Sequence, residues 1–494
     1  MLSVIVLTAC DDFVDPFEPT DRITDGPLED PSTAELQVNS VIALFECAYS
    51  AFDWIALGHE DVLESNAGIA TGTHVYLAEA LSGECDTSDA NGSWFGGMMG
   101  ARVLATNANE TGVYDRLQGE WTDADVPNRA RLSASAAIYV AAAFGHFGEF
   151  YCEMAFDGGP LTAPDAVLSE AEQWAEKAIG HIAAAGGDFE MPFGISNSAE
   201  MMALALRARL RWARGDMSGA LADAQVIPQG FTAWVTREPG PTRRNKIYSS
   251  GSSGTYSTMG GINDWWDPSI RRPNPATGQL WPDPVPFTGY LFLGILPDGR
   301  AVDEDGYAVR WAEELRDSNN GNPVPLGNGA VPDTRVQHSA RIRAGPGQVE
   351  APEKYGSDAD DIPLVSWKEM WLIRAEIEGG QTAIDLVNDL RTAAGLPTVS
   401  YISGGTASVQ DIRYMILEEW RRALFSEGGR YWATKIRNTD VLWFPRGEGQ
   451  TPFQGYSLRG GVRLTMPSLE YEANRNLGLE DMATGCNPNE APVL

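Results

Sequence analysis

Three separated stretches of this chain share one grammar, and that grammar limits its fold more than any other feature. In the first, residues 128–147 (NRARLSASAAIYVAAAFGHF) are alanine-rich and helical, residues 169–184 make a second helix, and the loop GGPLTAPDAV lies between. In the second, AEMMALALRARLRWARGD halts at Gly215-Asp216 and SGALADAQVI begins the next helix. In the third, VSWKEMWLIRAEIEGGQ leads into TAIDLVNDLRTAAGL. Small residues recur at spacings of three and four, so paired helices can approach closely, and a turn reverses the chain. This is helix–turn–helix packing of the tetratricopeptide type, irregular in period. A chain of 494 residues would ordinarily be two or three domains, but stacked hairpins extend one continuous core.

The N-terminus reads as exported and lipidated. Leu7-Thr8-Ala9-Cys10 closes a short apolar run, with small residues where a signal peptidase cuts before a lipidated cysteine. Residues 1–9 carry no Lys or Arg and are short for a signal peptide, so the true start is expected upstream. Acyl chains on Cys10 contribute about 0.8 kcal/mol per buried methylene, enough to tether a soluble body. No later run reaches the ~20 apolar residues of a bilayer span. Residues 10–31 (acidic, proline-spaced) read as the lipidated end and an extended stalk.

A net charge of -32 repels phosphate backbones, so nucleic acid is not an expected partner, and any membrane contact is by lipid alone. With Cys10 given to lipid, Cys47, Cys85, Cys152 and Cys486 remain as disulfide candidates, and Cys47–Cys152 is the favoured pair of three pairings. No CxxC is present. His59, His74, His146, His181 and His338 form no HExxH, and no GxSxG or GxxxxGK[ST] occurs, so catalysis, a metal site and a cofactor are not expected. Asp298-Gly299 with Asp303-Glu304-Asp305-Gly306 reads as two hairpin turns better than as a calcium loop.

The chain divides at composition shifts. Residues 32–227 are helical, opening with a helix from about residue 33 to 50 capped by Ser32, then a further helix through DWIALGHEDVLESNAG. Residues 228–365 are rich in Pro, Gly and aromatics and read as a loop-rich, partly β insert. Residues 366–494 return to helix. The expected fold class is mostly α: a tetratricopeptide-like scaffold carrying a long insert.

Past the third hairpin come DIRYMILEEWRRALFSEGGRY, WATKIRN, WFPRGEG and RLTMPSLEYEANRNLG. Glu418 and Glu419 precede Arg421 and Arg422 on an amphipathic helix expected to end at Gly428-Gly429. EEWRRALFSEGGRYWATKIR and MPSLEYEANRNL resemble the paired C-terminal motifs of the SusD/RagB family, with Ala433 or Thr434 where that family has Asp and Arg475 where it has Pro. The resemblance, with the lipobox and hairpins in order, spans nearly the whole chain. It implies a non-catalytic, lipid-anchored protein on the outer face of the outer membrane. Such a protein captures glycan or peptide fragments and acts as a lid on a SusC-like TonB-dependent transporter.

Sugar capture needs flat aromatic faces and nearby hydrogen-bonding groups. Trp265, Trp266, Trp281, Phe287 and Tyr290 in the insert, with Trp94 in the NGSWFGG loop, are the candidate platforms. Asn263, Asp264 and Arg271 are the candidate polar partners. Trp174, Trp212, Trp367, Trp371, Trp420 and Trp432 sit on helical patterns and read as core. Two other readings remain open: a surface polysaccharide hydrolase, and a partner-docking lipoprotein with no small ligand.

Overall fold

The computed structural model describes residues 25–60, 63–65, 94–240, 243–252, 259–262, 335, 338–342, 348–352, 354–396, 398, 409–438 and 463–482. Cys10, Cys85, Cys486 and the insert residues Asn263, Asp264, Trp265, Trp266, Arg271, Trp281, Phe287 and Tyr290 lie outside them. Part of the expected stalk is helical: Asp25–Glu29 forms α1.

The longest element, α2 (Ala34–His59), joins what the sequence divided into two helices. Its start is set by Asp30, whose carboxylate accepts from Ser32 N at 2.9 Å before a 3-10 turn, so Asp30 and not Ser32 is the capping side chain. Asp53 in its second half and Glu60 just after it are both buried. By composition α2 is apolar enough to cross a bilayer, yet 83% of its most apolar window is buried inside the body, as in a core helix.

The next helices are α3 (Phe95–Ala105) and α4 (Val113–Gln118). The first expected hairpin is α5 (Arg129–Phe150) with α6 (Pro164–Ala184). Its close packing depends on small residues: a Cβ on Gly148 would come within 2.5 Å of Leu168 Cγ. The second hairpin is α7 (Ala199–Arg214) with α8 (Met217–Ala224), each started by a side-chain cap, Ser198 to Met201 N at 3.0 Å and Asp216 to Gly219 N at 3.0 Å. A short helix, α9 (Lys246–Ser252), follows. The third hairpin is α10 (Trp367–Glu378) with α11 (Gly380–Ala393). The motif-bearing helix α12 (Val409–Ala423) ends earlier than expected, and a turn leads to α13 (Arg430–Arg437). A last helix, α14 (Ser468–Ala473), lies near the C-terminus.

Buried side chains from every helical section merge into one hydrophobic cluster, as stacked hairpins require. Trp212 stacks on Trp420 at 5.0 Å and donates to Glu376 at 2.9 Å, joining the second hairpin to the third and to α12. Trp174, Trp212, Trp420 and Trp432 are buried as expected. Trp367 and Trp371 are only half-buried, with rings edge to face at 5.3 Å and Arg374 over Trp371 at 5.0 Å.

Short β pairs tie the insert to this scaffold. Strand β2 (Thr232–Val235) pairs antiparallel with β6 (Ile362–Ser366), so the chain leaves and re-enters the scaffold at one place. Strand β1 (Leu63–Ser65), expected as helix, pairs with β3 (Met259–Ile262) inside the insert. β4 (His338–Ile342) and β5 (Gln348–Pro352) form a hairpin.

Cys47 and Cys152 are both disulfide-bonded, and the packing argues that they are not bonded to each other. Phe45 meets Tyr139 at 5.2 Å, and Phe52 meets His146 at 4.3 Å and Phe150 at 4.8 Å, so α2 and α5 run parallel. Cys47 is therefore level with the region of Ala141 and Ala142, roughly 12 Å of helical rise short of Phe150. A disulfide needs Cα atoms within about 7 Å. The favoured pairing is corrected on that geometry.

Candidate functional site

The motif segment after α12 folds into a buried corner instead of a surface patch. Ser426, Gly428 and Gly429 all take left-handed backbone, with φ of 58°, 67° and 72°. At Gly428 no other residue fits, because a Cβ would lie 1.8 Å from Tyr49 Oη. The corner turns the chain under α2, and Gly428 N donates to Asp53 Oδ1 at 2.6 Å. Tyr431 N donates to Glu60 Oε1 at 3.1 Å.

Charged side chains fill the space around it in pairs. Arg430 grips Glu149 of α5 through both amino groups, at 3.0 and 2.9 Å, and comes within 3.6 Å of Glu369. Arg209 of α7 grips Glu369 at 2.7 and 2.5 Å and donates to Leu364 O at 2.5 Å. Glu427 accepts from Lys354 at 2.6 Å and from Lys368. Tyr355 Oη donates to Ser426 O at 2.7 Å. Of the acids and bases on the amphipathic helix, Glu419, Arg421 and Arg422 are buried, and Glu419 pairs with Arg335 of the insert.

The electrostatics follow from burial. Removal from water pushes Asp53 up to about 7 and Glu60 up to about 8. Burial also holds His146 down at about 3, with Arg430 adding to the effect, so its ring is neutral. For Glu427 burial acts upward, but Lys354 and Lys368 outweigh it and hold the carboxyl below its usual range. A cavity of about 20 Å³, lined in part by His146, Glu149, Arg209, Arg430 and Tyr49, sits inside this cluster, room for about one water. It is too small for a sugar ring. The corner is a structural lock between α2 and α13.

The departures from the family motif are explained here. Ala433 and Thr434 are buried within α13, and Thr434 Oγ1 turns back to Arg430 O at 2.9 Å, a place where a carboxylate would need its own partner. The near-terminal motif docks on the loop after α5. Leu464 N donates to Phe150 O at 2.8 Å, Asn474 Nδ2 to Gly159 O at 2.8 Å, and Asn476 Nδ2 to Gly158 O at 2.6 Å.

Trp94 is not a surface platform. It is fully buried at the start of α3, near Phe52 at 6.2 Å, and its Nε1 donates to Tyr151 Oη at 2.9 Å. Gly96 and Gly97 of NGSWFGG belong to the first turn of α3, where Gly97 is buried. Near the base of the insert other aromatics keep exposed surface. Phe193 is 62% exposed, and its turn is bonded to β2 through Trp234 N and Ile195 O at 2.8 Å. Trp234 is half-buried on β2, and Trp367 N donates to Phe231 O at 2.9 Å. Phe193 and Trp234 were missed because neither lies in the aromatic runs of the insert. Among the described residues no group of three or more His, Cys, Asp or Glu is placed to hold a metal ion.

A model of the SusD family matches residues 367–435, from α10 through the corner and into α13. A SusD-like carbohydrate binding protein from Bacteroides vulgatus is similar in structure, with a TM-score of 0.56 at 15% identity, over 91% of this chain and 97% of that one. A SusD superfamily protein from Bacteroides fragilis is similar at a TM-score of 0.50 and 13% identity, over 91% of this chain and 99% of that one. No curated protein matches the chain. The corner-forming segment matches the SusD family, and the scaffold that carries it has the fold of these SusD-like structures.

Proposed function

We propose that this protein binds carbohydrate at the outer face of an outer membrane, held by lipid on Cys10, and passes it unaltered to a SusC-like TonB-dependent transporter. The observation that carries the reading is the SusD-family segment built into the core of the scaffold, in a chain whose sequence between β2 and β6 is rich in aromatics. The similar Bacteroides vulgatus protein, a carbohydrate binder, supports the ligand class. A non-catalytic role suits an insert whose notable side chains are aromatic. Trp265, Trp266, Trp281, Phe287 and Tyr290 would stack on pyranose C–H faces, while Asn263, Asp264 and Arg271 bond hydroxyls.

Titration calorimetry against a panel of oligosaccharides tests this. Binding is expected, with no new reducing ends after long incubation, and Trp265→Ala, Trp266→Ala and Trp281→Ala are expected to weaken it. No heat with any glycan, or release of reducing ends, overturns the reading. Unchanged affinity in all three variants removes the site assignment.

A further inference from the structure

The helix α13 begins without a cap of its own. Gly429 precedes it and has no side chain to take the free N–H groups of the first turn. The helix start and the turn before it are held from the α2 side: Glu60 Oε1 takes Tyr431 N of the first turn at 3.1 Å, and Asp53 Oδ1 takes Gly428 N, just before the helix, at 2.6 Å. The two acids are two helical turns apart, so they project from one face of α2. The second oxygen of each, Asp53 Oδ2 and Glu60 Oε2, is buried with no hydrogen-bond partner. One oxygen of each group therefore holds backbone while the other sits dry, where a full negative charge is costly.

The surrounding cations have other work. On the 354–361 segment Lys354 is held by Glu427, with Tyr355 beside it. Lys368 of α10 also goes to Glu427. Arg430 is gripped by Glu149 of α5 and flanked by Glu369. Lys435 of α13 points its Nζ to the Glu60 carbonyl at 3.4 Å. Tyr49, one turn back on α2, donates to Pro363 O.

We propose that Asp53 and Glu60 form a proton-operated clasp: as neutral carboxyl groups they hold the corner to α2, and their ionisation loosens it. Burial raises both groups well above the values of an open chain, to about 7 and about 8. For acids raised on folding, the stabilisation is complete below the unfolded values and is lost as pH climbs through the folded ones. Both groups titrate between pH 6.5 and 8. Lys354, lowered by burial to about 8, loses part of its proton at the upper end, and burial also raises Glu46 and Glu376, so the change between wild type and double variant carries the test.

The full chain, melted at pH 6.5 and at pH 8, provides the test. The wild type is expected to melt about 2–3 °C lower at pH 8. Asp53→Asn with Glu60→Gln keeps a carbonyl oxygen for each backbone donor and cannot ionise, so the double variant should lose this difference. Glu35→Gln, on the exposed face of α2, should behave as wild type. A wild-type melting point equal or higher at pH 8, or a double variant with the wild-type difference, overturns the clasp. Should the double variant not fold, hydrogen exchange of the wild type decides. After correction for intrinsic rates, the peptide spanning 424–436 should exchange roughly tenfold faster at pH 8 than at pH 6.5. Equal protection at the two pH values overturns the proposal.

Discussion

Gly428→Ala is expected to be among the most damaging single-methyl additions in this chain. Alanine at a φ of 67° costs about 1–2 kcal/mol from the left-handed backbone alone. The added carbon would then lie 1.8 Å from Tyr49 Oη and 2.3 Å from its Cζ. Tyr49 has little room to withdraw, because it is 3% exposed, its ring stacks on Phe45 at 5.9 Å, and its hydroxyl donates to Pro363 O at 3.2 Å. Overpacking of a well-filled core costs about 1–3 kcal/mol. Loss of the bond to a buried carbonyl costs about 1–3 kcal/mol more. The total destabilisation is about 5 kcal/mol, read as a fall in the urea midpoint of the full chain. The clash can be separated from the strain with a double-mutant cycle. In a Tyr49→Ala background the same substitution should cost only the strain, about 1–2 kcal/mol. A cost below about 1.5 kcal/mol in the wild-type background, or an equal cost in both, would refute this account of the corner.

Two further outcomes follow from the charges around it. Arg430→Met leaves Glu149 and Glu369 buried beside a thioether, and urea unfolding should show a loss of about 3–5 kcal/mol, partly recovered by adding Glu149→Leu. A fully tolerated single variant would show that the pair carries no weight. His146 has its folded value at about 3 against 6.5 for the open chain, so its stabilisation is present above pH 6.5 and lost as pH falls toward 3. His146→Leu should remove about 3 kcal/mol of acid sensitivity between pH 6.5 and 4, measured by urea unfolding at each pH. A parallel pH profile in the two proteins counts against a buried neutral imidazole.

The hairpins were legible because their signal is local. In NRARLSASAAIYVAAAFGHF the small residues that allow close packing lie next to one another, and helix caps lie within a turn of the groups they satisfy. Trp94 failed because glycine carries two meanings: Gly96 and Gly97 sit inside the helix α3 and do not make a loop. The corner was recognised as a motif but its role was not, since its partners are remote. Gly428 meets Asp53 across 375 residues and Arg430 meets Glu149 across 281, and among 68 acidic residues nothing marks those two. A local trace does exist in α2. The run from Phe52 to Glu60 is apolar except for an acid near each end and His59, and an acid on an apolar face must find a donor or lose its charge. Asp53 does both, with one oxygen on Gly428 N and a raised pKa, so the run carries a trace of the buried cap but none of the backbone it serves.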